Sequence, residues 1–351
     1  MMKEKYSIRL AEVEKYLQRV LPEKVNNEWK KALVGDTEVP DSFLEKINRP
    51  ALDLLSRGGK RWRPVLMMLF YQLYRDDNDI LALTPLVELP HNGTLIVDDI
   101  EDSSDFRRGA PAVHLIYGTD MAINTANFLY FLPHILIDSS NFSDDIKLKA
   151  YRCYSECMSR LHIGQGLDIQ WHNDKGYIPS EAEYMVMCSF KTGGLSHLSG
   201  ELGSLAGGAS DSVAASMGKA CEAMGVGFQI LDDVTNLVTG NPGKKRGDDI
   251  VEGKKSLPVI LFDSLGGNTA RLREIFEYAA ANGIEKSGDA IEEAVKMLEA
   301  SGAIFMARRK AFDILEKSKY DILSGCRKCE AAELIGYVFD SFLKQAGGRQ
   351  K

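Results

Sequence analysis

The sequence predicts an all-α protein. Apolar residues recur at helical spacing through most of the chain, no segment alternates strictly apolar and polar over strand length, and neither a strand–glycine–helix nucleotide loop nor a fixed-period repeat is present. With 351 residues, 44% of them hydrophobic, the chain can bury a sizeable core. The reading is about a dozen helices in one domain, 41–351, with residues 1–40 an N-terminal helical extension packed on it. A formal charge of −7 argues against nucleic acid as a partner, so any phosphate chemistry must use locally placed cations. The charged N-terminus lacks the apolar core of a secretory signal, and the longest apolar stretch, 128–137, is about half of a spanning helix. No membrane anchor and a cytoplasmic location are therefore expected. The six cysteines complete no zinc set and read as reduced intracellular thiols.

Residues 1 to about 36 read as one helical segment, followed by a turn-rich linker, GDTEVPDS. A second helix is expected to begin near Pro50, a residue suited to a first helical position. GGKRWRP then sets Lys60, Arg61 and Arg63 after two glycines, either a bend that presents cations to an anion or a solvated turn, and the residues alone leave the two even. From Val65 to Arg75 apolar residues wrap almost all round the helix, so it should be buried. The next helix starts near Pro85, and Pro90 predicts a kink or restart between Leu86 and His91.

That helix runs into HNGTLIVDDIEDSSDFRRG. Asp98 and Asp102 are four apart on one face, roughly 6 Å from each other, with Asp99 and Glu101 beside them. No lysine is interleaved, so an external cation must relieve the repulsion, and hard oxygen donors in small number suit magnesium. His91 lies two turns below, where an isolated histidine is either a satisfied core residue or a ligand. Past Gly109, a loop leads to a largely buried helix carrying FLYF. Lys147 to Trp171 form a long helix ending in GQGLDIQW, with Gln165 and Asp168 three apart, a polar pair that needs a hydrogen-bond network or a ligand.

Tyr184 to Leu205 is a helix interrupted at Lys191 to Gly194, where exposed carbonyls can face a ligand. The following helix ends in a second acidic pair, Asp232 and Asp233, with Asn236 four beyond Asp232. In NPGKKRGDDIVEGKK, Lys244 and Lys254 belong either to a solvated loop or to a phosphate cover. From Leu257 onward the pattern is helix packing without chemistry. Two acidic clusters ending apolar helices and facing each other across a bundle would make a three-magnesium cradle. With Lys60, Arg63, Arg107, Arg108, Lys191, Lys244 and Lys254 around it, the cradle suits a diphosphate, above apolar walls suited to hydrocarbon.

HNGTLIVDDIEDSSDFRRG, INTANFLYF, GQGLDIQW, KTGGL, FQILDDVTNL and DDIVEGK resemble, in order over roughly 55–260, motifs of the trans-prenyl (isoprenyl) diphosphate synthases. More narrowly they resemble the eukaryotic-type geranylgeranyl diphosphate synthases. The resemblance implies a single large helical bundle of the isoprenoid synthase type, with a central cavity between two Asp-rich helices. It implies that Asp98 and Asp102 bind two magnesium ions and Asp232 a third, with Asp99 and Asp233 in the same catalytic set. Lys60, Arg63, His91 and Arg108 would hold isopentenyl diphosphate; Arg107, Lys191, Thr192, Gln229, Lys244 and Lys254 would contact the allylic diphosphate, and Gln165 and Asp168 would line the substrate site. Carbonyls near Lys191 and Thr192 and the Gln229 amide would stabilise a carbocation, and the released diphosphate would take the proton.

Product length is expected to depend on Pro90, Gly93 and Thr94 beneath Asp98, and on Tyr130 and Phe131 as a deeper floor favouring twenty carbons. Alternatives are a farnesyl or longer polyprenyl product, a class I terpene cyclase, and a non-catalytic subunit of a heteromeric synthase. A homodimer is expected from the resemblance and the surplus of apolar helices.

Overall fold

The computed structural model describes residues 1–240 and 246–347. In chain order the helices are α1 (Met2–Val20), α2 (Asn27–Val34), α3 (Asp41–Ser56), α4 (Trp62–Gln72), α5 (Pro85–Glu101), α6 (Val113–Tyr117), α7 (Thr119–Ser139), α8 (Asp144–Asn173) and α9 (Glu181–Cys188). After a π-helical turn, Ser189–Gly193, come α10 (Gly194–Gly207), α11 (Asp211–Val238), α12 (Asp248–Glu252), α13 (Leu257–Ser264), α14 (Thr269–Asn282), α15 (Gly288–Ala300), α16 (Ala303–Leu323) and α17 (Glu330–Gly347). The one sheet among the described residues is a hairpin of β1 (Phe106–Arg107) and β2 (Ala110–Pro111). The fold is all-α, as expected.

The chain forms two compact units. The first comprises 1–156, 198–219 and 326–337. Its centre is α4, buried from Trp62 to Tyr71, together with α5. The stretch 79–101 is apolar and long enough to cross a membrane by composition, but 67% of its apolar window is buried within the protein, as suits a core helix. The second unit comprises 157–197, 220–325 and 338–351. There α13 is buried from Leu257 to Phe262, and α16 turns Ala303, Ala307, Ala311 and Leu315 inward at helical spacing. A capping box at Ser180 and Glu183 starts α9.

Three local expectations are corrected. Residues 1–36 are two helices, because Pro22 follows the end of α1 and the Asn26 side chain accepts the Trp29 N–H at 2.9 Å, starting α2. Pro50 lies inside α3 rather than at its start. The stripe Leu44, Asn48, Ala51 and Leu55 continues across it, and burying several leucines at about 1.5–3 kcal/mol each outweighs about 3 kcal/mol for an interior proline. For the same reason α5 passes through Pro90 without restarting, with Leu86, Leu89, Asn92 and Gly93 all buried.

Candidate active site

In the first unit, α5 delivers the acids. Asp99 is 1% exposed, Asp98 and Asp102 are half-buried, and Asp102 caps the helix. The Arg107 guanidinium grips Asp99 Oδ1 through Nε at 2.8 Å and through a second nitrogen, and lies 3.7 Å from Asp98 Oδ2. It occupies this place because Arg107 and Ala110 pair across a two-residue turn, Arg108-Gly109, with positive φ at both positions (52 and 75°), the signature of a type I′ hairpin. Arg57 straps the hairpin to the end of α3, donating to the Arg107 and Pro111 carbonyls at 3.1 and 2.9 Å. Adjacent arginines thus take different partners: Arg107 meets the acids, while Arg108 donates to Asn92 Oδ1 and the Leu54 carbonyl, each at 3.1 Å.

The expected anion-binding group is assembled in the same unit. Arg63, in the first turn of α4, is 7% exposed and its guanidinium lies 4.3 Å from the Trp62 ring centroid. Burial and then the charges of Arg63, Arg108, Arg61 and Arg107 hold the His91 imidazole well below its ordinary pKa, so His91 is neutral at pH 7. Lys60 is exposed at the mouth of this turn.

The positions expected to govern length divide. Pro90 and Gly93 are buried, and the half-buried Thr94 donates to the His91 carbonyl at 2.8 Å. A Cβ on Gly93 would stand 2.7 Å from Tyr130 Cε1, so only glycine admits the Tyr130 ring there. The ring reaches toward the acids: burial first, then Glu101 and Asp98, raise the phenol pKa. Tyr154 pins this part of α7, donating to the Tyr130 carbonyl at 2.7 Å. Phe131, in contrast, is 68% exposed, one residue round the helix, and forms no floor in this chain.

In the second unit, α8, the π turn and α11 gather the other candidates. Lys191 Nζ lies 2.5 Å from Asp168 Oδ2, so the polar residue on α8 is explained by an ion pair with the π turn. The backbones approach closely: a Cβ on Gly164 would stand 2.5 Å from Lys191 N. Thr192 donates to Gln229 Oε1 at 2.7 Å, Gln229 donates to Asp233 Oδ1 at 2.8 Å, and Tyr184 donates to Asp233 Oδ2 at 2.6 Å. Asp233 is therefore the buried anchor of a directed hydrogen-bond chain; burial, with neighbouring Asp232, raises its carboxyl above the usual range. The Thr192 carbonyl, expected to face a cation, accepts the Ser196 hydroxyl at 3.4 Å.

Asp232 is half-buried beside this chain, and Gln165 is half-buried on α8. Asn236 is fully buried and its Oδ1 accepts the Asp249 N–H at 3.3 Å, so the side chain anchors α12 instead of completing an acidic triad. Lys254 pairs with Glu252 at 2.6 Å and lies 3.8 Å from Asp249. Lys244 lies outside the described residues. Arg57, Glu88, Asn92 and Tyr184 were not expected from the sequence, and Arg61, expected as one of three cations after the glycines, is instead a buried structural arginine. For Glu88 and Asn92 a charged or amide residue amid apolar neighbours was the available signal.

Among the described residues no three His, Cys, Asp or Glu side chains converge into a ready-made metal cage. The donors are instead carboxylates one turn apart, Asp98 and Asp102, beside a guanidinium that already occupies the neighbourhood of Asp98 and Asp99. This donor set fits magnesium, which is usually held by one or two carboxylates plus water and substrate phosphate.

The fold is all-α, with paired carboxylates at the end of α5 (Asp98, Asp99) and within the last two turns of α11 (Asp232, Asp233), and with arginine or lysine side chains in the same unit as each pair. A family model described as polyprenyl synthetase matches residues 44–298, and the chain belongs to that family. A geranylgeranyl pyrophosphate synthase of Eremothecium gossypii is 32% identical over 308 residues, covering 83% of this chain and 93% of that one. The crystal structure of the geranylgeranyl pyrophosphate synthetase from Pyrococcus horikoshii Ot3 matches with a TM-score of 0.84 at 24% identity, over 98% of each chain. That of the Corynebacterium glutamicum geranylgeranyl pyrophosphate synthase, complexed with isoprenyl diphosphate and magnesium, matches with a TM-score of 0.81 at 20% identity, over 95% of this chain and 97% of that one. The protein is a prenyltransferase with the all-α isoprenoid synthase fold.

Proposed function

We propose that this prenyltransferase condenses isopentenyl diphosphate with allylic diphosphates, head to tail, to geranylgeranyl diphosphate, using magnesium. The observation that carries the reading is the 32% identity with a geranylgeranyl pyrophosphate synthase over most of both chains. The sorting of cations supports the roles. Arg63, His91 and Arg108, with Lys60, are assigned to isopentenyl diphosphate; Arg107, Lys191, Lys254 and Lys244 are assigned to the allylic diphosphate. Asp98, Asp102 and Asp232 are assigned as metal ligands, for three magnesium ions.

When bound, magnesium supplies the positive charge that stabilises the departing diphosphate. The chain's own residues bind and orient. Asp168 holds Lys191 in place, and the chain Thr192–Gln229–Asp233–Tyr184 fixes the direction of the Gln229 amide. The allylic carbon–oxygen bond breaks, the isopentenyl double bond attacks the resulting cation, and a proton leaves with the diphosphate. Apolar helix faces keep water from capturing the cation. Neutral His91 is a hydrogen-bond partner for phosphate oxygen, because burial and then the arginines around it disfavour its protonation.

The ring of Tyr130 against Gly93, with the smaller Thr94 nearby, supports a stop at twenty carbons. The test is incubation of the purified chain with radiolabelled isopentenyl diphosphate, farnesyl diphosphate and magnesium, followed by chain-length analysis. A twenty-carbon product is expected, lost with EDTA and restored by magnesium. Products mainly of thirty carbons or more would overturn the length assignment, and no incorporation would overturn the reaction.

A further inference from the structure

A polar relay crosses the apolar interior of the first unit, and the reaction as described uses only its last member, Arg108. The Arg61 guanidinium, fully shielded from solvent, donates to Glu14 on α1 at 2.9 Å, to Glu88 Oε1 on α5 at 2.7 Å and to the Leu55 carbonyl on α3 at 2.6 Å. The amide nitrogen of Asn92, one turn along α5, donates to Glu88 Oε1 at 2.8 Å and to the Glu88 carbonyl at 2.7 Å. Its oxygen accepts Arg108 at 3.1 Å. Arginine can only donate and a carboxylate can only accept, so the amide is held in one orientation from both ends. Glu14, Arg61, Glu88, Asn92 and Arg108 therefore form one unbroken line.

Such a line is costly to bury, and Arg61–Glu88 alone would satisfy both charges. The extra member, Asn92, has one geometric effect: it passes the position of Glu88 on to Arg108. Arg61 enters α4 from left-handed backbone, φ 44°, held there by its three partners, while Arg108, φ 52°, is set by the type I′ turn of the hairpin. Their guanidiniums converge on Gly59, where a Cβ would stand 3.0 Å from one and 3.2 Å from the other. Two like charges are thus held close together, with Glu88 as the one fully buried carboxylate in the line.

We propose that Arg61, Glu88 and Asn92 are positioning residues that aim Arg108 at the diphosphate of the isopentenyl substrate, and that Glu14 makes the N-terminal helix part of that site. The proposal rests on the assignment of Arg108 to that diphosphate, and Arg108→Lys is the control for it. Lysine retains the charge but loses the planar fork that reaches Asn92, the Leu54 carbonyl and a phosphate together.

The experiment is steady-state kinetics of the full chain with magnesium, varying each substrate in turn. Arg108→Lys, Asn92→Leu and Glu88→Gln are each expected to raise the isopentenyl diphosphate KM at least tenfold, with the allylic KM within twofold of wild type. Glu14→Gln alters the solvent-facing end, where the side chain is 37% exposed, and is expected to fold and to raise the same KM about threefold. If Arg108→Lys raises that KM and Asn92→Leu does not, the relay is refuted and the assignment of Arg108 stands. No effect of Arg108→Lys refutes the assignment itself. Equal rises in both KM values in the relay variants would mean general loss of packing and would overturn the proposal. Should Asn92→Leu fail to fold, an unchanged isopentenyl KM in Glu14→Gln overturns it instead.

Discussion

His91 stands among arginines, and its depressed pKa has a consequence for stability. In the unfolded chain an imidazole titrates near 6.5, whereas in the fold burial and then Arg63, Arg108, Arg61 and Arg107 keep it neutral to lower pH. Below pH 6.5 the unfolded state therefore binds the extra proton, so the contribution of His91 is fully present above that pH and is lost as pH falls. Thermal melts of wild type and His91→Gln between pH 7.5 and 5.5 should show the variant losing less stability on acidification; parallel curves would mean that His91 stays accessible to protons. Tyr130 is the other decisive residue. Replacing it with alanine vacates the space over Gly93, and the product of Tyr130→Ala should shift beyond twenty carbons in the same radiolabel assay, whereas Phe131→Ala should leave length unchanged because that ring is exposed.

At the scale of elements, the π turn is where sequence and structure meet most instructively. KTGG was legible as an irregularity because glycine is unfavourable inside a helix, but its form was not: the turn is widened rather than broken, as π-helical segments commonly are at functional sites. What fixes it lies in other elements, namely Gly164 on α8, Asp168 paired to Lys191, and Gln229 on α11. The same division holds elsewhere. Asp98, Asp102 and Asp232 were legible because a carboxylate cluster without interleaved cations is locally anomalous. Glu88 and Asn92 were not, and Arg61 was legible only as one cation of a glycine bend, because their partners are scattered over α1, α3, α5 and the hairpin and meet only in the fold. Phe131 was misread because two adjacent aromatic residues on a helix point in directions about 100° apart, and periodicity alone did not show which faced inward. The π turn itself is tested by Gly164→Ala. Its methyl would meet the backbone nitrogen of Lys191 at 2.5 Å, and a backbone atom cannot swing aside as a side chain can. We expect about 1–3 kcal/mol of destabilisation in chemical denaturation and at least a tenfold fall in kcat. Full activity would show that the placement of Lys191 tolerates movement of α8.

For the whole molecule, the question is what covers the apolar side chains that the fold leaves outside. In the first unit they concentrate between residues 106 and 148: Phe106, Leu115, Ile116, Ile123, Phe131 and Leu148 are between 44% and 70% exposed. Phe131 also stacks on His134, which stacks on Tyr151, so rigid aromatic area is presented rather than loose side chains. Each such side chain forgoes roughly 25 cal/mol per Å² of apolar surface left in water, and a second copy of the chain can cover them with one self-complementary face. The homodimer expected from the sequence would cover this segment. Light scattering on the purified chain should give twice 38.9 kDa. The pair Phe131→Asp and Leu148→Asp places two carboxylates in the contact and two more in the symmetry-related copy. With a formal charge of −7 already on each chain, no general excess of cations is available to neutralise them. The double variant should therefore run at 38.9 kDa, with a far-ultraviolet circular dichroism spectrum like that of wild type because neither side chain is buried within its own protomer. A double variant that remains at twice that mass would move the interface to other exposed apolar residues, such as Phe305 and Tyr320 on α16.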